Sequence, residues 1–244
     1  MLTAIIVAAG SSQRMGFDKL FATIAGKSLI AHTLEAFQRA SSVNEIIVVA
    51  REDRHDEIRK IRRAGSFKKV RSIIAGGKRR QDSVRAGLNR LNAGARYVAV
   101  HDAARPLIGP EQIERVFEQC LIHGAAVLAE PINDTLKRAD VDPIPSRSHR
   151  GRETEKAIVV TGSVDRHQVY VMQTPQVFER ALIEEAYRVA HAENVLLTDE
   201  VSAVERFGRQ VVLVLSNDFN FKITYPRDLA LGEFVLKQRA RSGL

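Results

Sequence analysis

The sequence predicts an α/β fold in which a mainly parallel sheet is flanked by helices. Short apolar runs alternate with amphipathic stretches of helical length along the 244 residues, which is typical of parallel strands joined by helices. Hydrophobic residues make up 45% of the chain and charged residues 27%, as in ordinary globular proteins. A chain of this length can bury a sizeable core. We therefore expect a single domain over residues 1–244.

The first half of the chain shows the alternation most clearly. Ser28 precedes an apolar face formed by Leu29, Ile30, Leu34 and Phe37, so a helix with a serine N-cap is expected there. The predicted elements are, in order, strand Thr3 to Ala8, helix Ser28 to Ala40, strand Glu45 to Ala50, helix Asp56 to Ala64, strand Val70 to Ala75, helix Asp82 to Leu91, strand Tyr97 to His101, helix Pro110 to His123 and strand Ala125 to Ala129.

The pattern breaks from residue 133 to about residue 165. Residues 140–162 are polar and basic and contain two prolines, and the segment is too long for a routine connection. We interpret it as an excursion from the domain that is either functional or disordered. The elements predicted after it are strand Val169 to Gln173, helix Arg180 to Ala192, helix Asp199 to Phe207, strand Val211 to Leu215 and helix Arg227 to Arg239.

Several function classes are disfavoured by composition. No apolar run reaches the roughly 18 residues that span a bilayer, and no secretory leader is evident, so we expect a cytoplasmic protein. The single cysteine, Cys120, falls within an expected helix and is interpreted as a buried structural thiol. The net charge is +8, yet Lys and Arg are spread along the chain without a nucleic-acid-binding motif. A protein that handles triphosphates and sugar phosphates would have the same charge.

The stretch from Ala4 to Lys19 is the first candidate for a ligand site. A β-branched strand ends in small residues, and a Gly/Ser turn then leads to Arg14 and Lys19. Such a turn lets backbone N–H groups approach a phosphate while long cations cover it. The turn matches neither the dinucleotide fingerprint G-x-G-x-x-G nor the P-loop G-x-x-x-x-G-K-[ST].

The motifs along the chain resemble those of the 2-C-methyl-D-erythritol 4-phosphate cytidylyltransferases. They occur in that family's order and extend from residue 4 to about residue 230. The motifs are A-A-G-x-x-x-R-M with Lys19, Gly76-Gly77 with Arg80-Gln81-Asp82-Ser83-Val84, His101 to Pro106, Asp134 to Arg138, Val164 to Arg166, Gln173 to Gln176, Thr198 to Glu200 and Phe221 to Thr224.

The resemblance implies a modified Rossmann-like sheet of the nucleotide-diphospho-sugar transferase type, with a projecting arm through which the protein forms a homodimer. The implied reaction is Mg²⁺-dependent transfer of CMP from CTP to 2-C-methyl-D-erythritol 4-phosphate, with release of pyrophosphate, in the non-mevalonate isoprenoid pathway. Because such a transfer needs two polyanions held together while charge builds up, catalysis rests on positioning and charge stabilisation.

The resemblance also assigns roles to single residues. Arg14, Lys19 and Lys222 are the expected catalytic residues. CTP is expected to contact Ala8, Ala9, Gly10, Ser11, Gly77, Ser83, Asp102 and Ala103. The acceptor is expected to contact Arg105, Thr135, Arg166, Thr174, Thr198 and Lys222, with Thr135 and Arg166 carried by the arm.

Asp102 directly follows the end of a predicted strand, the usual place for ligand groups in an open α/β sheet. Its carboxylate is expected to share a Mg²⁺ ion with phosphate oxygens, because magnesium needs few protein ligands. The alternative is that Asp102 pairs with Arg105 and only braces the loop. His101 is interpreted as a packed strand terminus because this reaction needs no strong base.

Three departures from the family pattern stand out. Lys78 replaces a common acidic residue, which bears on base preference. Asp18 and Leu20 replace the usual neighbours of Lys19, and Asp18 is expected to offset part of the lysine's charge. The arm is also longer than usual, with a basic run at residues 146–152 that is either a solvated loop tip or an added anion or partner contact.

Two other functions stay open at this point. One is a cytidylyltransferase for another polyol phosphate such as ribitol 5-phosphate, since that group shares most of the motifs. The other is a nucleotide-binding or RNA-binding module without catalysis.

Overall fold

The computed structural model describes residues 1–10, 15–144 and 155–242. The strands in this part of the chain are β1 Leu2–Ala8, β2 Thr23–Ile24, β3 Lys27–Ser28, β4 Val43–Ala50, β5 Val70–Ala75, β6 Tyr97–Asp102, β7 Ala125–Pro131, β8 Leu136–Ile144, β9 Glu155–Val164, β10 Tyr170–Glu179 and β11 Val212–Leu215. The helices are α1 Leu29–Arg39, α2 His55–Ala64, α3 Arg80–Leu88, α4 Pro110–His123, α5 Arg180–Ala192, α6 Glu200–Arg206 and α7 Pro226–Arg241. No helix formed by these residues is long and apolar enough to cross a membrane.

The chain divides into two compact units. The first contains Met1–Ala129 together with Met172–Leu244, and the second contains Glu130–Val171. The second unit includes the excursion predicted from residue 133 to about residue 165. The expectation of a single domain over residues 1–244 stays a prediction.

The first unit is built on a seven-stranded sheet with the order β11-β7-β10-β6-β1-β4-β5. β1 pairs in parallel with both β4 and β6, and β5 pairs in parallel with β4. β10 runs antiparallel to β6, so that Gln176 lies opposite Val100. The sheet is therefore mainly parallel, as predicted.

Helices cover both faces of this sheet because its inner strands are apolar on both sides. Ile5 and Ile6 are adjacent in β1 and fully buried on opposite faces, as alternation along a strand requires. Ile6 packs in a core with Leu34 of α1. Ile5 packs in a second core with Val84 of α3 and Ile183 of α5. Strands buried on both faces are typical of doubly covered parallel sheets.

Most predicted elements are confirmed to within a few residues. The bounds of β5, α4 and α5 are those predicted. Ser28 does occupy the N-cap of α1, although its side chain makes no capping hydrogen bond with the described residues. Cys120 is fully buried in α4, and its S–H donates to the carbonyl of Gly124 at 3.5 Å. Burial raises the pKa of this thiol to about 12, which confirms a structural role.

The prediction was wrong for β10 and incomplete for two hairpins. β10 continues through the cis Thr174–Pro175 peptide bond to Glu179, six residues beyond the predicted end. The pattern also missed the short hairpin β2/β3 and the hairpin β8/β9 of the second unit. The apolar alternation in β8/β9 is confined to a few residues, such as Val141, Ile158 and Val160, so the period-2 signal of a half-buried strand is weak. The basic run at residues 146–152 lies outside the described residues.

Candidate active site

A cavity of about 320 Å³ lies at the carboxyl ends of β1, β5 and β6. These strands are parallel, so their ends meet at one edge of the sheet, where ligands bind in open α/β folds. The described residues that line it are Val7, Ala8, Ala9, Gly10, Met15, Lys19, Leu20, Gly77, Lys78, Arg79, Arg80, Ser83, Asp102, Ala104, Lys222 and Thr224.

The structure brings most of the predicted nucleotide-binding residues to this cavity. Ala103 is the exception, because it is fully buried and its N–H donates to the carbonyl of Val7 at 3.0 Å. The neighbouring Ala104 lines the cavity instead. Ser11 and Arg14 lie outside the described residues.

The glycine pair after β5 allows two loops to pack closely. A Cβ on Gly76 would lie 2.5 Å from the Cβ of Ala9, and a Cβ on Gly77 would lie 2.3 Å from the Cβ of Asp82. Both distances are too short for any other residue without a shift in the backbone. The buried Ser83 hydroxyl accepts from the Gly77 N–H at 3.1 Å and donates to the Arg79 carbonyl at 3.3 Å. Ser83 therefore fastens the glycine loop against the first turn of α3.

Asp102 forms the charged centre of the cavity. Its Oδ1 accepts from Arg80 Nε at 3.0 Å, and its Oδ2 accepts from Lys222 Nζ at 2.7 Å. Burial by itself would raise the pKa of this carboxyl, but the charges of Arg80 and Lys222 outweigh burial and hold the pKa well below its usual range. Asp102 is therefore ionised at any physiological pH. It is paired with these two cations, and Arg105, its partner in the sequence alternative, donates its backbone N–H to the Asp102 carbonyl at 3.0 Å.

Arg80 connects Asp102 to a second buried carboxylate. Its Nη1 donates to Glu200 Oε1 at 2.7 Å, and Tyr187 Oη donates to the same oxygen at 2.9 Å. Glu200 is completely buried at the start of α6, and its N–H donates to Gln176 Oε1 at 3.1 Å. Burial disfavours the charged form of Arg80, yet the two carboxylates raise its pKa above the ordinary value.

Arg80 and Glu200 are the functional residues that the sequence reasoning missed. Both lie inside motifs that carried the family resemblance, but no role was assigned to either. Their spacing of 120 residues hides the ion pair, and only the fold brings them together. No local signal marked either residue, because Arg80 lies between two polar neighbours and Glu200 follows Asp199.

Lys19 lies in a single 3-10 turn, Lys19–Phe21, after the first loop. Its Nζ donates to the carbonyl of Ile223 at 2.6 Å, next to Lys222. Asp18, which is expected to offset part of the charge of Lys19, pairs with two other cations. Asp18 Oδ2 lies 2.8 Å from Arg51 Nη2 and 3.0 Å from Arg54 Nε, so its charge is balanced by those two arginines.

His101 and Thr174 support Asp102 from behind. The Asp102 N–H donates to Thr174 Oγ1 at 3.1 Å, and this hydroxyl lies 3.0 Å from Nδ1 of His101. Burial lowers the pKa of His101 to about 3, so the ring is neutral. The hydroxyl then donates to Nδ1, while Nε2–H donates to the Arg105 carbonyl at 3.3 Å. His101 is a packed strand terminus, as predicted.

The other predicted acceptor residues are not all in the cavity. Arg105 Nη1 donates to the carbonyl of Asn220 at 2.8 Å, and Thr198 is exposed on the loop before α6. Thr135 and Arg166 lie in the second unit, where the Arg166 guanidinium donates to the carbonyl of Asn133.

A metal ion at this cavity would depend on Asp102. Among residues 1–10, 15–144 and 155–242 no three His, Cys, Asp or Glu side chains group as a metal site. An ionised carboxylate has about four lone-pair positions, so each Asp102 oxygen keeps an acceptor position beside its cation. The residues therefore fit a Mg²⁺ ion that takes one protein ligand and is otherwise held by phosphates and water.

Comparisons with known proteins agree with this geometry. The chain matches the family described as "IspD: 2-C-methyl-D-erythritol 4-phosphate cytidylyltransferase" over residues 2–238. It is 34% identical over 241 residues to the protein of that name from Halalkalibacterium halodurans, with 98% of both chains covered. It is 37% identical over 242 residues to the one from Alkaliphilus metalliredigens, covering 98% of this chain and 94% of that one. Among solved structures, it is similar to 4-diphosphocytidyl-2C-methyl-D-erythritol synthase from Anaerococcus prevotii, with a TM-score of 0.79 and 29% identity over 97% of this chain and 96% of that one.

The buried His101 makes stability depend on pH. Its pKa is lowered to about 3 in the folded state, so as pH falls below the ordinary value near 6.5 the unfolded chain binds this proton first. The free energy of unfolding should therefore fall with pH in this range, with His101 contributing up to about 1.4 kcal/mol per pH unit. Denaturant titrations between pH 6.5 and 5 should show a smaller slope in His101→Gln than in the exposed control His123→Gln. Equal slopes in the two variants would contradict the assignment.

Proposed function

Since this chain belongs to the 2-C-methyl-D-erythritol 4-phosphate cytidylyltransferase family, we propose that its cavity transfers CMP from CTP to 2-C-methyl-D-erythritol 4-phosphate. The chain is a nucleotidyltransferase of the non-mevalonate isoprenoid pathway. The observation that carries the proposal for the site is the meeting of Lys19, Lys222 and ionised Asp102 at the carboxyl edge of the sheet.

The reaction joins two polyanions. A phosphate oxygen of the acceptor forms a bond to the α-phosphorus of CTP, the bond from that phosphorus to the β-phosphate bridge oxygen breaks, and pyrophosphate leaves with the electron pair. Negative charge builds up on the five-coordinate phosphorus and on the leaving group. Preorganised cations lower this barrier because their orientation costs nothing during the reaction.

Lys19, Lys222 and Arg14 are the cations proposed for this task. The Ile223 carbonyl orients Lys19 towards the segment that carries Lys222, which supports a joint role for the two lysines. Lys222 is also paired with Asp102 at 2.7 Å, so its position is set before any substrate binds. Lys19 is assigned to the triphosphate and the transition state, and Arg14 to the triphosphate.

Asp102 is proposed to hold Mg²⁺ together with phosphate oxygens. When bound, the ion neutralises charge on the triphosphate and activates the α-phosphorus to attack. Arg80 and Lys222 hold the carboxylate between them, and the Thr174 hydroxyl fixes its backbone.

Cytosine and ribose recognition is assigned to the first turn and the glycine loop. Ala8, Ala9, Gly10 and Gly77 present backbone to the cavity, which lets a flat base lie close. Lys78 also lines the cavity, so it is proposed to contact the ribose or the phosphates.

The acceptor is proposed to contact Lys222 and Arg105 through its phosphate. Thr135, Thr198 and Arg166 are the remaining acceptor contacts expected from the family motifs. Thr174 is buried, with its hydroxyl already bonded to Asp102 and His101, so we assign it to positioning Asp102.

A cytoplasmic location also stays a prediction.

Pyrophosphate release with different acceptors tests the function. The protein should release pyrophosphate from CTP and Mg²⁺ when 2-C-methyl-D-erythritol 4-phosphate is added, and much less when ribitol 5-phosphate replaces it. Release with ribitol 5-phosphate alone would assign the enzyme to the other polyol phosphate. No release with either acceptor, together with tight and steeply salt-dependent RNA binding, would favour a non-catalytic module.

Lys19→Ala tests the main catalytic assignment. Losing a cation that acts on developing charge should lower kcat by about 10²–10³-fold, with a much smaller change in KM for the acceptor. Lys60→Ala removes a lysine exposed on α2 and is the matched control. Steady-state kinetics that show normal turnover in Lys19→Ala would refute the role.

We also propose that the chain forms a homodimer through the second unit. Val141 pairs with Ile158 across β8/β9, and Val160 lies two residues further on the same face. These side chains are 65%, 77% and 61% exposed. An apolar stripe of this kind is typical of a surface covered by a partner, and a second copy is the partner expected from the family motifs.

Light scattering on the full chain tests the dimer. Ile158→Lys places a charge on the proposed interface and should shift the mass from dimer towards monomer. Leu121→Lys changes a side chain that is 51% exposed on α4 and should leave the dimer intact. A monomeric wild-type chain, or an Ile158→Lys variant that stays fully dimeric, would reject this interface.

A further inference from the structure

A second cavity, of about 590 Å³, lies beside the edge strand β5. Six cations line it, and no aspartate or glutamate of the described chain does. They come from three segments: the last two turns of α2, the turn and strand that follow it, and the residues after α3. These residues, called the arginine cavity below, are Arg59, Arg62, Arg63, Lys68, Arg71 and Arg90.

Among the described residues, five of these cations have no carboxylate as an ion-pair partner. Arg59 pairs with Asp56 at 2.5 Å, but within the described residues no carboxylate lies within ion-pair distance of the other five. Like charges gathered without counter-charges repel one another, so the folded protein bears a cost that a bound anion would remove.

Two common structural roles of surface cations explain only some of the residues in the arginine cavity. Cations in the last turn of a helix interact favourably with its dipole, which accounts for Arg62 and Arg63. A charged residue on an edge strand prevents pairing with other sheets, which accounts for Arg71. Neither explains why Lys68 and Arg90 converge on the same concave surface from separate segments.

The turn that forms the wall of the arginine cavity is already ordered. The N–H groups of Gly65, Ser66 and Phe67 donate back to carbonyls of α2 at 2.9–3.1 Å. A Cβ on Gly65 would lie 2.3 Å from the ring of Phe67, so this ring packs directly on the turn. Because the wall is already ordered, binding of an anion does not carry the entropic cost of ordering a loop.

The charge and shape of the arginine cavity indicate the class of ligand. Six cations around one concavity suit an anion of several charges rather than a single phosphate. The aromatic ring at the cavity, Phe67, is only 5% exposed, so a nucleobase has no stacking platform of the kind that single-stranded nucleic acids use. The hydroxyls of Ser66 and Ser72 add hydrogen-bond donors to the wall.

We propose that the arginine cavity is a second anion site that binds linked phosphate groups, as in pyrophosphate or a nucleoside triphosphate. It is separate from the catalytic cavity, because β5 lines it along its length while the loop after the end of β5 carries Gly77 into the catalytic cavity. This site does not depend on the reaction proposed above.

Calorimetric titration of the full chain with inorganic tripolyphosphate tests the site. Wild-type protein should show one binding event beyond that of the catalytic cavity. Arg63→Gln/Arg71→Gln removes two exposed cations of the arginine cavity and should weaken that event by about tenfold or more, with turnover unchanged and the thermal midpoint equal to or above that of wild type. Arg39→Gln/Arg209→Gln removes the same charge from exposed positions that do not line either cavity, and it should bind as wild type does.

Equal weakening of tripolyphosphate binding in both double variants would show that binding depends only on the net charge of the protein, and it would overturn the site. An isotherm unchanged in Arg63→Gln/Arg71→Gln would also overturn it, as would inorganic phosphate binding as tightly as tripolyphosphate. Parallel titrations with pyrophosphate and with CTP distinguish the reaction's product from its substrate, and selective loss of either in the cavity variant supports the site. If a short single-stranded RNA loses binding in the cavity variant while tripolyphosphate does not, the occupant is RNA and the proposal fails.

Discussion

The charge cluster around Asp102 is the constraint on which the rest of the active site depends. Two buried carboxylates, Asp102 and Glu200, are balanced by Arg80 and Lys222. Removing one partner of a buried ion pair strongly destabilises the folded protein, because the other charge is left in a medium that solvates it poorly. The four residues come from β6, α3, α6 and the segment before α7, so satisfying their charges fixes these parts of the first unit against one another.

This cluster also sets what the cavity can offer a ligand. An isolated carboxylate at the end of a strand would repel a triphosphate, whereas Asp102 is already neutralised by the two cations beside it. The cavity therefore holds Lys19 beside a carboxylate whose charge is already balanced within the protein. Thr174 and His101 hold Asp102 from the protein side through neutral hydrogen bonds, which fix its position without adding charge.

Close backbone packing supplies the remaining part of the site. The edge of a parallel sheet brings the ends of β1, β5 and β6 together, but the loops that follow must also fit beside one another. The close contact between Gly76 and Ala9 and the hydrogen bond from the Gly77 N–H to the Ser83 hydroxyl allow this fit. A glycine pair that by itself would indicate a plain turn therefore shapes the wall of the cavity.

The sequence by itself determined the fold class, most helices and strands, and many of the residues that line the cavity at the carboxyl edge of the sheet. It could do so because apolar periodicity and the motifs at strand ends are local in the chain. The tertiary structure alone decided the partners of the charges: Asp18 pairs with Arg51 and Arg54, and Arg80 bridges Asp102 and Glu200. It also decided that β10 continues as an antiparallel strand and that the arginine cavity gathers cations from three segments. Electrostatic partners are chosen by distance in space, and residues as far apart as Arg80 and Glu200 have no relation that a local pattern can express.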